Sequence, residues 1–144
     1  MARKQKYLKI LMLGDDMYQD KLKIKNIIFS LREKFGQDKI KIATLGSEDG
    51  VGRFVKNDCM RFEVKYGEFP PYHDHHNLDC IMPEQRFDKM YDPRYYFWRE
   101  NDAIKWSNII MIFTNKKNIK GFLGNIKRAK KLDKKIKLFY DKIG

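Results

Sequence analysis

Three glycines, Gly46, Gly50 and Gly52, fall within seven residues in the stretch Thr44 to Phe54, TLGSEDGVGRF, between the apolar run KIKIA and the helix-like VGRFVKNDCM. A glycine-containing turn that hands a strand to a helix lets backbone approach a ligand closely and aims N–H groups and the helix dipole at negative charge. The chemistry expected there is phosphate binding. The spacing is neither G-x-G-x-x-G nor G-x-x-x-x-G-K-[ST], so neither the dinucleotide fingerprint nor the Walker loop applies. A tight connection with no ligand is the competing reading.

Charged side chains near that turn extend the idea. Arg53 and Arg99 have planar guanidinium groups suited to paired contacts with phosphate oxygens, although each could equally serve a surface ion pair. Glu48 and Asp49, with Asp15 and Asp16, could place a carboxylate on a ribose or act as a general base. Acids in a first helical turn also simply stabilise the dipole. His73, Asp74, His75, His76, Asp79 and Cys80 lie within eight residues and are metal-ligand types. A zinc site draws on two ligand pairs, and no second cluster exists to complete one, so the segment is expected to be a polar loop or lid and no metal or other cofactor is expected beyond a nucleotide-type ligand. Tyr91, Tyr95, Tyr96, Phe97 and Trp98 flank Arg94 and Arg99; one is expected to stack on a base while the others pack inward.

Length and composition bound these readings. The chain of 144 residues is expected to form one domain, and 42% hydrophobic with 35% charged residues describes a folded protein with a heavily charged surface. No apolar run is long enough to span a bilayer, and the basic start MARKQKYLKILMLG has no small-residue cleavage site, so a cytoplasmic protein without membrane contact is expected. Cys59 and Cys80 are too few for a disulfide framework and are expected to be free thiols. The net charge of +12 is uneven, because residues 105 to 144 hold twelve Lys/Arg against Asp133 and Asp141, which leaves only +2 on the rest. KRAKKLDKKIK is therefore either a solvated face or a docking surface for nucleic acid or an acidic partner, within the basic residues 116–137.

The elements that must position these residues follow from periodicity. YLKILML at 7 to 13 reads as a buried strand ending in Gly14, and residues 19 to 35 place Ile24, Ile27, Ile28, Leu31 and Phe35 at helical spacing before the stop at Gly36. Lys39 to Thr44 gives a second strand, and the helix after the glycine turn would face inward with Val51, Phe54, Val55 and Cys59. Arg61 to Gly67 alternates and predicts a third strand. Residues 68 to 94 hold all four prolines and all three histidines and predict a long functional loop or lid. Helix at 95 to 106, strand at 108 to 113, a basic loop at 114 to 122, helix at 123 to 133 and strand at 135 to 140 complete the chain. The alternation predicts an α/β fold, a single Rossmann-like domain with a mostly parallel sheet of about five strands and helices on both faces. In such sheets ligands bind beyond the carboxyl ends of the strands, where Gly14 and Asp15, the Gly46 to Arg53 loop and the Thr114 to Gly124 loop with Lys116, Lys117 and Lys120 would meet.

The order of features resembles the SLOG superfamily, the Rossmann-like group containing the DNA-processing protein DprA and the lonely-guy enzymes, and within it the small single-domain members related to YspA and YpsA. KILMLGDD at 9 to 16 and LGSEDGVGRFV at 45 to 55 match its two glycine-ended strands, and WRENDAIKWSNIIMIF at 98 to 113 is similar to its arginine helix and following strand, with Arg99 at the arginine position. Leu45-Gly46-Ser47 replaces a double glycine, Gly52 stands where Asp is common, Glu100 where Asn follows the arginine, and Gly121 to Gly124 takes the place of the phosphate turn. The glutamate of the glycosidic members has no counterpart in TNKKNIKGFLGNIKR. The resemblance implies a fold and a nucleotide-type pocket, with Gly14, Asp15, Gly46, Ser47, Glu48, Gly50, Val51, Arg53, Arg99, Thr114, Lys117 and Gly121 as ligand-binding residues. A binder, sensor or sequestering protein for a nucleotide is the expected function. A nucleic-acid-binding accessory protein and an enzyme at a glycosidic or phosphate bond are the alternatives, and a homo-oligomer is compatible with any of them.

Overall fold

The computed structural model describes residues 7–15, 18–46 and 50–140. Five strands, β1 (Leu8–Gly14), β2 (Ile40–Thr44), β3 (Lys65–Glu68), β4 (Ile109–Thr114) and β5 (Lys135–Tyr140), alternate with helices α1 (Lys21–Phe35), α2 (Gly50–Arg61), α3 (Arg94–Trp106) and α4 (Leu123–Lys131). All neighbouring strands pair parallel in the order β3-β2-β1-β4-β5, so the expected α/β architecture is present. No helix among the described residues is long and apolar enough to cross a membrane.

Period-two alternation divides the strand residues between two cores. Ile10, Met12, Ile40, Ile42, Met111 and Phe113 face α1 and α2, where Ile24, Ile28, Val51, Val55 and Cys59 meet them. Leu11, Leu13, Ala43, Ile110 and Ile112 face the other way and pack against Ala103 and Ile104 of α3 and Ala129 of α4. Each large aliphatic side chain fully buried in this way contributes about 1.5–3 kcal/mol. The start of α1 is capped by Asp20, whose Oδ1 accepts from the Lys23 N–H at 3.1 Å, and its end is released by Gly36 at φ 89°.

The third strand differs from the expected Arg61 to Gly67. α2 runs through Arg61, the Phe62 N–H donates to the Asp58 carbonyl, and Glu63 adopts φ 57° so that the Val64 N–H returns to the Cys59 carbonyl at 2.8 Å. The alternation in RFEV therefore belongs to a helix end, and only Lys65–Glu68 pairs with β2.

The chain steps outward from β1 through β2 to β3, then returns to place β4 on the other side of β1. This reversal falls at the carboxyl edge between β1 and β4. Gly14 occupies its centre, paired with Phe113. A Cβ on Gly14 would lie 2.3 Å from Val51 Cγ2 and 2.6 Å from the Phe113 carbonyl oxygen, so only glycine lets α2 start this close to the sheet. Gly14→Ala is expected to destabilise the fold by about 1–3 kcal/mol in denaturant unfolding. Gly121→Ala, where an added Cβ meets nothing within 4 Å, should leave the midpoint nearly unchanged.

Candidate functional site

Because the strands are parallel, Gly14, the turn after Thr44 and the turn after Thr114 share one edge of the sheet. A crevice of about 300 Å3 opens there, between Gly14, Thr44 and Leu45 on the strand side and Gly52, Arg99, Glu100 and Phe122 on the helix side. Among the described residues its two charged side chains, Arg99 and Glu100, are neighbours on α3.

Arg99 is the unusual member. Its Nη1 donates to the Leu45 carbonyl at 3.0 Å, its guanidinium lies 5.3 Å from the centre of the Tyr96 ring, and its Nε is buried without a hydrogen-bond partner. Arg99 enters none of the ion pairs found among the described residues. Burial pushes its pKa down, opposed first by the nearby Glu100 carboxylate. A half-buried guanidinium with a buried, unused donor is costly unless an acceptor completes it.

The other expected residues are distributed as follows. The Asp15 carboxylate accepts from Thr114 Oγ1 at 2.5 Å, the Asp15 carbonyl accepts from the Val51 N–H at 3.5 Å, and the Asp15 N–H donates to the Phe113 carbonyl, so Asp15 ties β1 to β4 and α2. Thr114 is buried in that bond. Gly46 and Gly50 take φ of 84° and 62°, as the turn requires, but the Gly46 N–H is already engaged by Thr44 Oγ1 at 3.1 Å. Arg53 is exposed and borders a neighbouring hollow rather than the crevice. Lys117 and Gly121 are exposed on the loop after β4; the Lys117 N–H closes a turn onto Asn115 Oδ1, and neither residue lines the crevice. Ser47 and Glu48 lie outside the described residues.

The sequence reading missed a polar relay behind the glycine turn. Tyr66 Oη donates to Glu68 Oε2 at 2.7 Å, so the 2.8 Å contact between Thr44 Oγ1 and Tyr66 Oη must be donated by the threonine. With the Gly46 N–H donating to Thr44, the bonds run one way from the turn to the carboxylate. Asn77 Nδ2 and the Lys56 ammonium, at 3.3 and 3.8 Å, complete the surroundings of the buried Glu68. Lys56 and Glu68 also border a hollow of about 500 Å3 with Arg53 and His75, on the far side of the Leu45-Gly46 turn. The available signal was an acid at the very end of a parallel strand, obscured by the misplaced third strand. Gly52, read in the sequence as part of the glycine turn and as a departure from the family pattern, and Glu100, read only as such a departure, line the crevice itself.

The segment after β3 is pinned rather than free. Its backbone is tied by Glu68 N–H to Asp79 carbonyl, Ile81 N–H to Glu68 carbonyl and Lys89 N–H to Tyr72 carbonyl, with a short 3-10 turn at Glu84–Arg86. Tyr72 is buried, donates to Asp102 of α3 and packs against Phe87 and Tyr95. The three imidazoles go separate ways: His73 sits among Tyr91, Tyr95 and Tyr96, His75 contacts Asp88, and His76 faces Phe87. No group of three His, Cys, Asp or Glu side chains is arranged to hold a metal among the described residues. Tyr96, Phe97 and Trp98 remain 40–50% exposed, so the aromatic run turns outward more than its spacing suggested.

No family model matches the chain, and no curated protein matches it.

Burial and the bond to Asp102 push the Tyr72 hydroxyl up to about 12, and burial raises Tyr66 further. A phenol held above its ordinary value of 10.0 stabilises the fold fully below that pH and loses this contribution as pH rises through about 12. Phenolate absorbance during alkaline titration should therefore show a late phase coincident with unfolding. Tyr72→Phe should diminish that phase, and simultaneous ionisation of every tyrosine near pH 10 would contradict the packing described.

Proposed function

We propose that the chain binds a nucleotide or nucleotide derivative through its phosphate in the crevice at the carboxyl ends of β1 and β2, as a binder, sensor or sequestering protein. The observation that carries this reading is the Arg99 side chain, half-buried at the crevice, with its Nε buried and unused and with no ion-pair partner among the described residues. A phosphate oxygen pair answers that donor geometry, and the amino end of α2, which begins at Gly50 and reaches the crevice at Gly52, adds favourable dipole charge. Glu100 beside it offers an acceptor for a sugar hydroxyl, which distinguishes a nucleotide from inorganic phosphate. The likeness to SLOG proteins points to the same class of ligand.

A second reading, nucleic-acid binding, is favoured by the α3–α4 surface. There Arg128 stacks 4.2 Å from the Phe97 ring centre, Arg94 lies 5.5 Å from that of Trp98, and both aromatic rings are substantially exposed. The two readings respond differently to salt. A pocket ligand stabilises by mass action, about 2.7 kcal/mol at a hundredfold excess over Kd, whereas polyanion binding collapses as salt rises.

A thermal-shift series with mononucleotides, ADP-ribose and cyclic dinucleotides is expected to raise the melting temperature of the wild type at moderate salt. Arg99→Gln should weaken the best of them at least about tenfold, or roughly 1.4 kcal/mol. No shift with any nucleotide, or an undiminished shift in Arg99→Gln, would overturn the proposal.

A further inference from the structure

A groove of about 620 Å3 lies beside α1, over β4 and β5. On this side of the sheet α1 packs against Met111 of β4, which is 4% exposed, but no described helix lies over β5, whose residues are half-buried or exposed. One wall is a stripe along α1 that includes Lys23, Ile27, Leu31 and Lys34, and the floor is Met111 and Phe139. The stripe spans nearly all of α1, about 1.5 Å per residue over 15 residues, enough for three to four turns of a second helix laid alongside.

Charge decides what can lie there. In the parallel register, Met111 sits beside Lys137 and Ile109 beside Lys135, so the exposed strand β5 presents lysines at positions where a covered sheet would carry aliphatic side chains. Lys23, Lys34 and Lys137 border the groove, and its single acid among the described residues, Asp20, is occupied in capping α1. An apolar cover would bury the Lys137 ammonium without a partner, at a cost that burial of Phe139 and Leu31 does not offset. A second copy of this chain, itself at +12, would bring like charge against like.

We propose that this groove is the docking site for an acidic amphipathic helix of a partner protein. Its apolar stripe would lie on Ile27, Leu31, Met111 and Phe139, and its flanking carboxylates would meet Lys23, Lys34 and Lys137. This is helix-in-groove recognition with charges setting register and orientation. The site is separate from the crevice at the ends of β1 and β2, so the two can be tested independently.

The test uses the full chain and two fluorescent helical peptides of about 16 residues with the same leucine positions at i, i+3, i+4 and i+7, one flanked by glutamate and the other by lysine. Fluorescence anisotropy is expected to show saturable binding of the acidic peptide alone. The double variant Lys34→Glu with Lys137→Glu should weaken it by about tenfold or more, while Lys127→Glu with Lys130→Glu, an equal charge change on α4 across the sheet, should change it less than about twofold. Absence of binding to the wild type would overturn the proposal. Equal weakening by both double variants would also do so, since it would reduce the effect to the general field of the protein. A homodimer in sedimentation that Lys34→Glu with Lys137→Glu strengthens would assign the groove to a second copy instead.

Discussion

The contact on which the remaining geometry depends is the close approach of α2 to the end of β1. Gly14 has no side chain, Val51 fills the space a Cβ would need, and the Phe113 carbonyl closes the other side. Asp15 then fastens the arrangement from three directions, through Thr114, Phe113 and Val51. Without this approach the amino end of α2 would stand off the sheet, and the crevice at the ends of β1 and β2 would be an open shelf. Packed interiors tolerate little change in volume, so a single methyl at this point shifts a whole helix.

Around that constraint the polar groups fall into two sets with different tasks. The relay from Gly46 through Thr44 and Tyr66 to Glu68 is satisfied within the protein and fixes the shape of the glycine turn. Buried networks of this kind hold one conformation because every member would lose a partner in any other. Arg99 belongs to the other set. It reaches across to the Leu45 carbonyl, so it is positioned by the same turn, yet it retains a buried donor that the described protein groups do not use. A saturated network beside an unsaturated cation is the arrangement expected where structure ends and ligand binding begins.

The elements with strong periodicity were legible in the sequence, and those governed by tertiary contact were not. α1 announces itself through Ile24, Ile28 and the stop at Gly36, and the five apolar runs predict five parallel strands because no short turn joins them. The third strand was misjudged, since Arg61 to Val64 alternates in polarity while a left-handed Glu63 ends a helix there. Arg99 was identified by its residue type and its likeness to a family position, but its buried Nε depends on Leu45 and Tyr96, which lie far away or on the same helix at a spacing that many surface arginines share. Lys117 and Gly121 illustrate the opposite case, because a loop can reach the correct edge of a sheet without turning its side chains into the crevice. Glu68 and its relay required knowledge of which strand ends next to which, and topology alone supplies that.

The central claim is that a nucleotide phosphate completes the Arg99 guanidinium. The most direct measurement is the Nε–Hε resonance of Arg99 by nitrogen-proton NMR, assigned through Arg99→Lys and followed as a nucleotide is added. A large shift and slowed solvent exchange of that signal are expected, together with shifts at the Gly14 and Gly52 amides, which line the same crevice. Perturbations confined to the lysines of α4 and β5, with the Arg99 signal unmoved at saturation, would contradict it.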